Sequence, residues 1–340
     1  AWYRISGFDR MDPFFLSVVS GYDHWMFVSS TGGLTCGRRN PDNALFPYET
    51  DDRIHDAHAT AGPVTALRVQ RENQVYLWEP FRRGTAVYRL ERNLYKNPEG
   101  NRLLFEEINH DLGVAFEYEW SCGDRFGFIR RARLRNLHDQ GTTVDVLDGL
   151  RNLLPAGVER NLQTARSTLV EAYRRAERHT SSGAAIFTLS SLPTDRAEPS
   201  EALKANVAWQ TGLADPCLLL SMDQAEAFRC GELPLQETER FGRRADYLVS
   251  ATHDLPAGEE RTWYLAADVD LGDAQVVDLL KQVTAGIDPA DLERDIQDGT
   301  NRLRQLVGAA DGFQCSGDSL KASRHFSNTL FNIMRGGVIH

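Results

Sequence analysis

The chain has 340 residues, 41% hydrophobic and 25% charged, with 27 Gly and 13 Pro, the composition of a folded globular protein. That length holds one large β domain or two ordinary ones. No apolar run approaches the ~18 residues that a membrane helix needs, and a net charge of −10 argues against nucleic acid or an anionic membrane as partner.

From residue 24 to about 267, short apolar runs alternate with turn residues, the pattern of a strand-rich domain. We expect strands at His24–Ser29, Val64–Gln70, Gln74–Glu79, Thr85–Glu91 and Arg102–Asn109. Two more follow at Leu112–Trp120 and Phe126–Leu137. In the first, Leu112, Val114, Phe116, Tyr118 and Trp120 alternate with Gly113, Ala115, Glu117 and Glu119, so aromatics take one face and carboxylates the other. The turn Ser121–Arg125 makes these two a hairpin, with Glu117 and Glu119 near Ile129 and Arg131. Arg131, Arg133 and Arg135 form a basic stripe. It reads as an anion or sugar site, or as cross-strand ion pairing on a solvated face, the commoner arrangement.

After a strand at Thr142–Asp148, Val158, Leu162, Ala165, Leu169, Ala172, Tyr173 and Ala176 recur at helical spacing. Strands resume at Ala184–Ser191, Leu203–Gln210, Cys217–Ser221, Asp246–His253 and Thr262–Val269, with a loop at 192–199. About a dozen strands around one helix predict large antiparallel sheets packed face to face, not a doubly wound parallel sheet. Past residue 270 the pattern turns helical: Ala274–Thr284, then a helix capped by Asp288-Pro289 and carrying Leu292, Ile296, Leu303, Leu306 and Val307. A Gly-rich break at 308–317 precedes a last helix from Asp318 to Arg335. The expected organisation is a β domain over 1–270, a helical linker over 271–317, and over 318–340 the first helix of something further.

The five cysteines (Cys36, Cys122, Cys217, Cys230, Cys315) form no CxxC pair, and Ala1-Trp2-Tyr3-Arg4 lacks the apolar stretch of a secretory signal. A reducing cytoplasm is therefore the expected location. The chain does not begin with Met and stops at Arg335-Gly336-Gly337-Val338-Ile339-His340 directly after a helical pattern. We expect it to be the front of a longer polypeptide.

The segment from Ser29 to Pro63 is the most unusual. A connection this long without regular structure is commonly functional or disordered. Leu45, Phe46, Tyr48 and Ile54 anchor it, which argues for order. Its polar groups (Thr31, Gly32, Gly33, Arg38, Arg39, Asn40, Asp52, Arg53, His55 and His58) suit either sugar hydroxyls or a subunit interface. His55 and His58, with Asp51, Asp52 and Asp56, would need helical geometry and a third ligand to hold a metal, so no metal is expected. Gly32-Gly33 lacks a phosphate-loop or dinucleotide pattern and reads as a tight turn. Adjacent Asp51 and Asp52 do not suit paired acid–base work across one glycosidic bond. His110 or His138 with Glu117 or Glu119 would make a mutarotase-type acid–base pair, though nothing in the sequence selects it.

The organisation resembles the N-terminal region of glycoside phosphorylases of the cellobiose and chitobiose phosphorylase type, glycoside hydrolase family 94, once called glycosyltransferase family 36. The residues that carry the resemblance are Asp12-Pro13-Phe14-Phe15-Leu16-Ser17, Ser29-Ser30-Thr31-Gly32-Gly33, and the last helix Ser323-Arg324-His325-Phe326-Ser327-Asn328-Thr329-Leu330-Phe331-Asn332 leading to Met334-Arg335-Gly336-Gly337. The resemblance implies a mainly β, galactose-mutarotase-like supersandwich, then a helical linker and an (α/α)6 barrel that holds the catalytic Asp. There inorganic phosphate is co-substrate and attacks the anomeric carbon with inversion. It also implies a disaccharide or oligosaccharide as ligand, no cofactor, no catalytic residue within this chain, and a homodimer in which the Arg38–His58 loop lines an active site. Two other readings stay open: a stand-alone aldose epimerase, and a purely structural dimerising domain.

Overall fold

The structure is a computed structural model that describes residues 2–84, 87–193, 201–311 and 317–334. Cys315, residues 194–199 of the loop, the first residues of the expected 85–91 strand and the closing segment 335–340 lie outside the described residues. The fold is mainly β, with two large antiparallel sheets, a small third one, and its longest helices gathered at the C-terminal end.

The large sheet has ten strands. In spatial order they are Tyr3–Ser6, Leu90–Lys96, Leu103–Asn109, Val114–Gly123, Gly127–Asn136, Glu260–Gly272, Lys204–Thr211, Ala185–Leu189, Arg174–Arg178 and Glu239–Phe241. A five-stranded sheet contains Cys217–Leu219, Ala245–Leu255, Thr142–Leu153, Gly62–Arg71 and Gln74–Trp78, and Phe15–Ser17, His24–Ser29 and Leu34–Arg38 form a third. One core joins them: Phe116, Tyr118 and Trp120 from the large sheet meet Val144 and Val146 from the second, and Met26, Val28 and Leu34 from the third.

The alternation read from Leu112–Trp120 holds, since Phe116, Tyr118 and Trp120 enter the core while Glu117 and Glu119 face outward. The register differs by two residues. The strand continues through Ser121 and Cys122 to Gly123, so Glu119 pairs with Arg131 and Glu117 with Arg133. The outer face is also drier than expected. Glu119 is 1% exposed, held by Arg131 at 2.8 Å and by Arg102 at 2.5 Å, and Glu117 is held by Arg133 at 2.6 Å. The basic stripe is thus matched, arginine by arginine, with carboxylates on neighbouring strands.

The expected helix over 158–176 is two short helices, Arg160–Ala165 and Ser167–Tyr173, broken at Arg166. Its last turn is instead strand Arg174–Arg178, which pairs on both sides with Ala185–Leu189 and Glu239–Phe241. Spacings of three suit a helix, but the alternating burial of Arg174 and Ala176 suits a sheet, and ladder hydrogen bonds decide between them. The 85–91 strand is observed as Leu90–Lys96, where Tyr3–Ser6 and Leu103–Asn109 supply its partners.

Beyond Gly272 the chain is helical: Asp273–Ala285, Pro289–Asp311 and Ser319–Met334. Ile287, Leu292 and Ile296 bury themselves against Ile129, Trp209, Tyr264 and Ala266 on the outer face of the large sheet. Asp295 accepts the backbone N–H groups of Asp124, Arg125 and Phe126 at 3.1, 3.1 and 3.0 Å, clamping the long helix to the hairpin turn. Further along, Asn101 donates to Thr300 at 2.8 Å, and Leu303, Val307 and Phe326 close a small cluster over Val19.

Candidate functional site

Within the 29–63 segment, Leu34–Arg38 is a strand paired with His24–Ser29, and the rest folds back on that hairpin. Two glycines make the turn possible. Gly32 sits at φ +90°, a left-handed conformation that side chains disfavour, and a Cβ on Gly33 would lie 2.1 Å from the carbonyl oxygen of Ile54. The glycine pair therefore serves a tight turn and a close chain crossing.

The crossing brings Thr31, His55 and His58 together. Ser29 Oγ, fully buried, lies 2.7 Å from His55 Nδ1, and Thr31 N–H donates to the same Oγ at 3.1 Å. Thr31 Oγ1 donates to the His55 carbonyl at 2.8 Å, and His58 Nδ1 lies 3.0 Å from that carbonyl. Arg151 pins the segment from below, donating to the carbonyls of His58 and Ala59. Among the described residues no hydrogen bond is recorded for His55 Nε2, a group suited to a ligand hydroxyl. Next to the turn a crevice of about 20 Å³, room for one water, is lined by Phe8, Phe81, Phe105 and Tyr118.

The other expected residues lie apart. Strand Leu34–Arg38 carries Arg38 roughly 16 Å from Gly33, at about 3.3 Å per residue. There Arg38 is bound by Asp23 at 2.8 Å and Asp268 at 2.9 Å, while Arg39 faces Asp23 and Asp270, each at 3.4 Å. Asn40 accepts from Trp25 Nε1 through its carbonyl at 3.1 Å. Arg38 and Arg39 tie the third sheet to the large one through Asp268 and Asp270, whereas the Asn40 contact stays within the third sheet. Asp52 accepts from Thr50, and Arg53 is exposed, 3.8 Å from Glu49.

The metal-type arrangement does not form. His55 and His58 lie on turns and a single 3-10 turn, and no group of three metal-ligating residues occurs among the described residues. The His–Glu pairings do not form either: His110 meets Glu91 at 3.5 Å and His138 meets Asp139 at 2.7 Å. Burial pushes His24 down to about 3, so it is neutral. Cys36 and Cys122 are buried with thiols pushed up by desolvation, which makes them poor nucleophiles. A broad cleft of about 760 Å³ lies elsewhere and is lined by Tyr76, Tyr88, Asp111, His138 and Asp254 among others.

No family model matches the chain, and no curated protein matches it. Solved structures do. A bacterial glucoamylase complexed with acarbose superposes with a TM-score of 0.50 at 8% identity, over 91% of this chain and 39% of that one. A human-microbiome protein designated a kojibiose phosphorylase gives 0.44 at 11% identity, over 78% and 30%. An Escherichia coli K12 protein designated an aldose 1-epimerase gives 0.36 at 12%, over 76% and 99%. The chain thus spans well under half the length of the glucoamylase it resembles. The first likeness covers 91% of this chain, and at 8% identity it speaks to the fold alone. Among the described residues no helix is long and apolar enough to cross a membrane.

Proposed function

We propose that this chain is the supersandwich and linker portion of a carbohydrate-active enzyme of the inverting glycoside phosphorylase type. The observation that carries this reading is the clamp between Asp295 and the 124–126 turn, which fixes the linker helices on the sandwich. The helix Ser319–Met334 then leaves from a set position, held by Tyr3 donating to the Ser319 carbonyl and by Phe326 over Val19. A domain working alone gains little from so rigid an exit. In this reading, Thr31, Gly32, Gly33, His55 and His58 offer sugar contacts, the domain supports a homodimer, and the reacting carboxyl and phosphate come from outside the described residues.

The test uses the complete gene product with inorganic phosphate and a panel of disaccharides. Release of a sugar 1-phosphate with inverted configuration is expected. Release of free sugar without phosphate consumption identifies a hydrolase instead. Light scattering at high concentration checks the dimer.

A second reading, a stand-alone aldose epimerase, is favoured by His138 standing in a cleft of about 760 Å³ with Asp111 and Asp254. Exchange NMR of glucose or galactose anomers separates the two. Catalysed interconversion that disappears in His138→Ala selects the epimerase.

A further inference from the structure

A second cavity of about 240 Å³ adjoins the segment that carries Arg53, beside the two short helices Arg160–Ala165 and Ser167–Tyr173. Arg53, Arg174 and Arg244 line it, together with Glu49 and Glu171. Two of these arginines are matched, since Glu171 holds Arg244 at 2.6 Å and Glu49 faces Arg53 at 3.8 Å.

Arg174 is not matched. Only 9% of it is exposed, and it forms no ion pair among the described residues. Its hydrogen bond is from Nη1 to Asn152 Oδ1 at 3.1 Å, and its Nε is buried with no partner. The carboxylates nearest in effect are spoken for: Glu171 by Arg244, and Asp246 by the Asn152 N–H at 2.7 Å. Burial accordingly pulls the Arg174 pKa down to about 10. A guanidinium in a protein interior with one neutral acceptor and a buried, unpartnered Nε is costly, and it lies at the wall of the cavity.

A compact anion suits such a wall. The guanidinium fork matches two oxygens of a tetrahedral oxyanion, and the Ser167 hydroxyl at the wall adds a donor. The volume lies below the ~300–1,000 Å³ of pockets that take drug-sized ligands, so the group is small. Three arginines against two glutamates leave a net positive site.

We propose that this cavity binds a phosphate group, inorganic or carried by a sugar, seated on Arg174 with Arg53 and Arg244 at its rim. The site is separate from the Thr31–His55 cluster and does not depend on phosphorolysis.

Isothermal titration calorimetry on this chain, at constant ionic strength, tests it with inorganic phosphate, glucose 1-phosphate and glucose. Both anions are expected to bind and glucose is not. Tighter binding of the first anion marks a free-phosphate site, and tighter binding of the second marks a phosphate-ester site. Arg53→Gln, an exposed change that spares folding, should weaken binding about fivefold, and Arg174→Gln at least about tenfold. If Arg174→Gln does not unfold cooperatively, Arg244→Gln read in the same titration takes its place. Absence of binding by either anion at tens of millimolar, or affinity unchanged by these substitutions, overturns the assignment. Failure of the complete gene product to release a sugar 1-phosphate leaves this titration unaffected, so the two readings fail separately.

Discussion

Arg130 and Asp148 form a bidentate ion pair at 2.7 and 2.9 Å with neither side chain exposed. The pair ties the large sheet to the five-stranded one through the middle of the core. Asp148 also accepts from Thr65 Oγ1 at 2.6 Å and Trp263 Nε1 at 2.7 Å, and Arg130 lies 4.8 Å over the Tyr118 ring. Removing one charge strands the other in a medium of low polarity. Arg130→Met should therefore cost about 3–5 kcal/mol in urea unfolding. Arg130→Met/Asp148→Asn should cost less, because no charge is left behind and Asn keeps an acceptor for Trp263. A single substitution that leaves stability within about 1 kcal/mol of the parent defeats this account.

The linker clamp makes a different prediction, because it acts locally. Asp295→Ala takes the acceptor from three backbone N–H groups at the 124–126 turn, two of them open to water, a loss of about 1 kcal/mol. Hydrogen exchange should accelerate in Pro289–Asp311 while the strands Val114–Gly123 and Gly127–Asn136 keep their protection. Equal acceleration in sheet and helix contradicts a local role.

How much of this was legible in the sequence depends on the range of the forces involved. The period of two over Leu112–Trp120 placed Phe116 and Tyr118 inward without further information, because alternation is a local property. The helix starts at Asp288-Pro289 and Asp318 were equally local, each Asp capping a backbone N–H, at Ala290 and Leu320 respectively. The register of the hairpin was not, since it hinged on whether Gly123 ended the strand or opened the turn. Arg38 and Thr31 look like one site in sequence. Arg38 finds its partner Asp268 across 230 positions, and no local pattern carries that. Arg174 fell inside an apparent helix, and its isolation depends on which carboxylates its neighbours had already engaged.

Asp246 should make stability depend on pH in an uncommon direction. Only 8% exposed, its carboxyl is pushed up by burial to about 6, against 3.8 for the free side chain. The folded state therefore holds this proton more tightly than the unfolded one. The contribution is complete below pH 3.8 and is lost as pH rises through about 6. Its size is about 2–3 kcal/mol, from the linkage of roughly 1.4 kcal/mol per unit. Asp268, raised to about 6 mainly by burial, acts in the same sense. The melting temperature of Asp246→Asn minus that of the parent should be small near pH 4 and positive at pH 7. A difference that does not change with pH refutes the assignment.

Gly33 tests whether the turn and the His55 segment form one unit. A Cβ there meets the Ile54 carbonyl at 2.1 Å and the His58 backbone nitrogen at 3.0 Å, and both are backbone atoms that cannot rotate away. Gly33→Ala must push the 54–58 segment off the turn, stretching Ser29–His55 and Thr31–His55 together, at about 1–3 kcal/mol for overpacking. Gly32→Ala strains φ alone, at about 1 kcal/mol, and leaves that contact in place. Histidine NMR should then show a shifted His55 ring resonance in Gly33→Ala and a nearly unchanged one in Gly32→Ala. If sugar contact runs through this cluster, saturation-transfer signals from an oligosaccharide should fall in the first variant and persist in the second. Parallel loss in both would instead mean that the ligand senses only the stability of the hairpin, and that His55 takes no part in holding it.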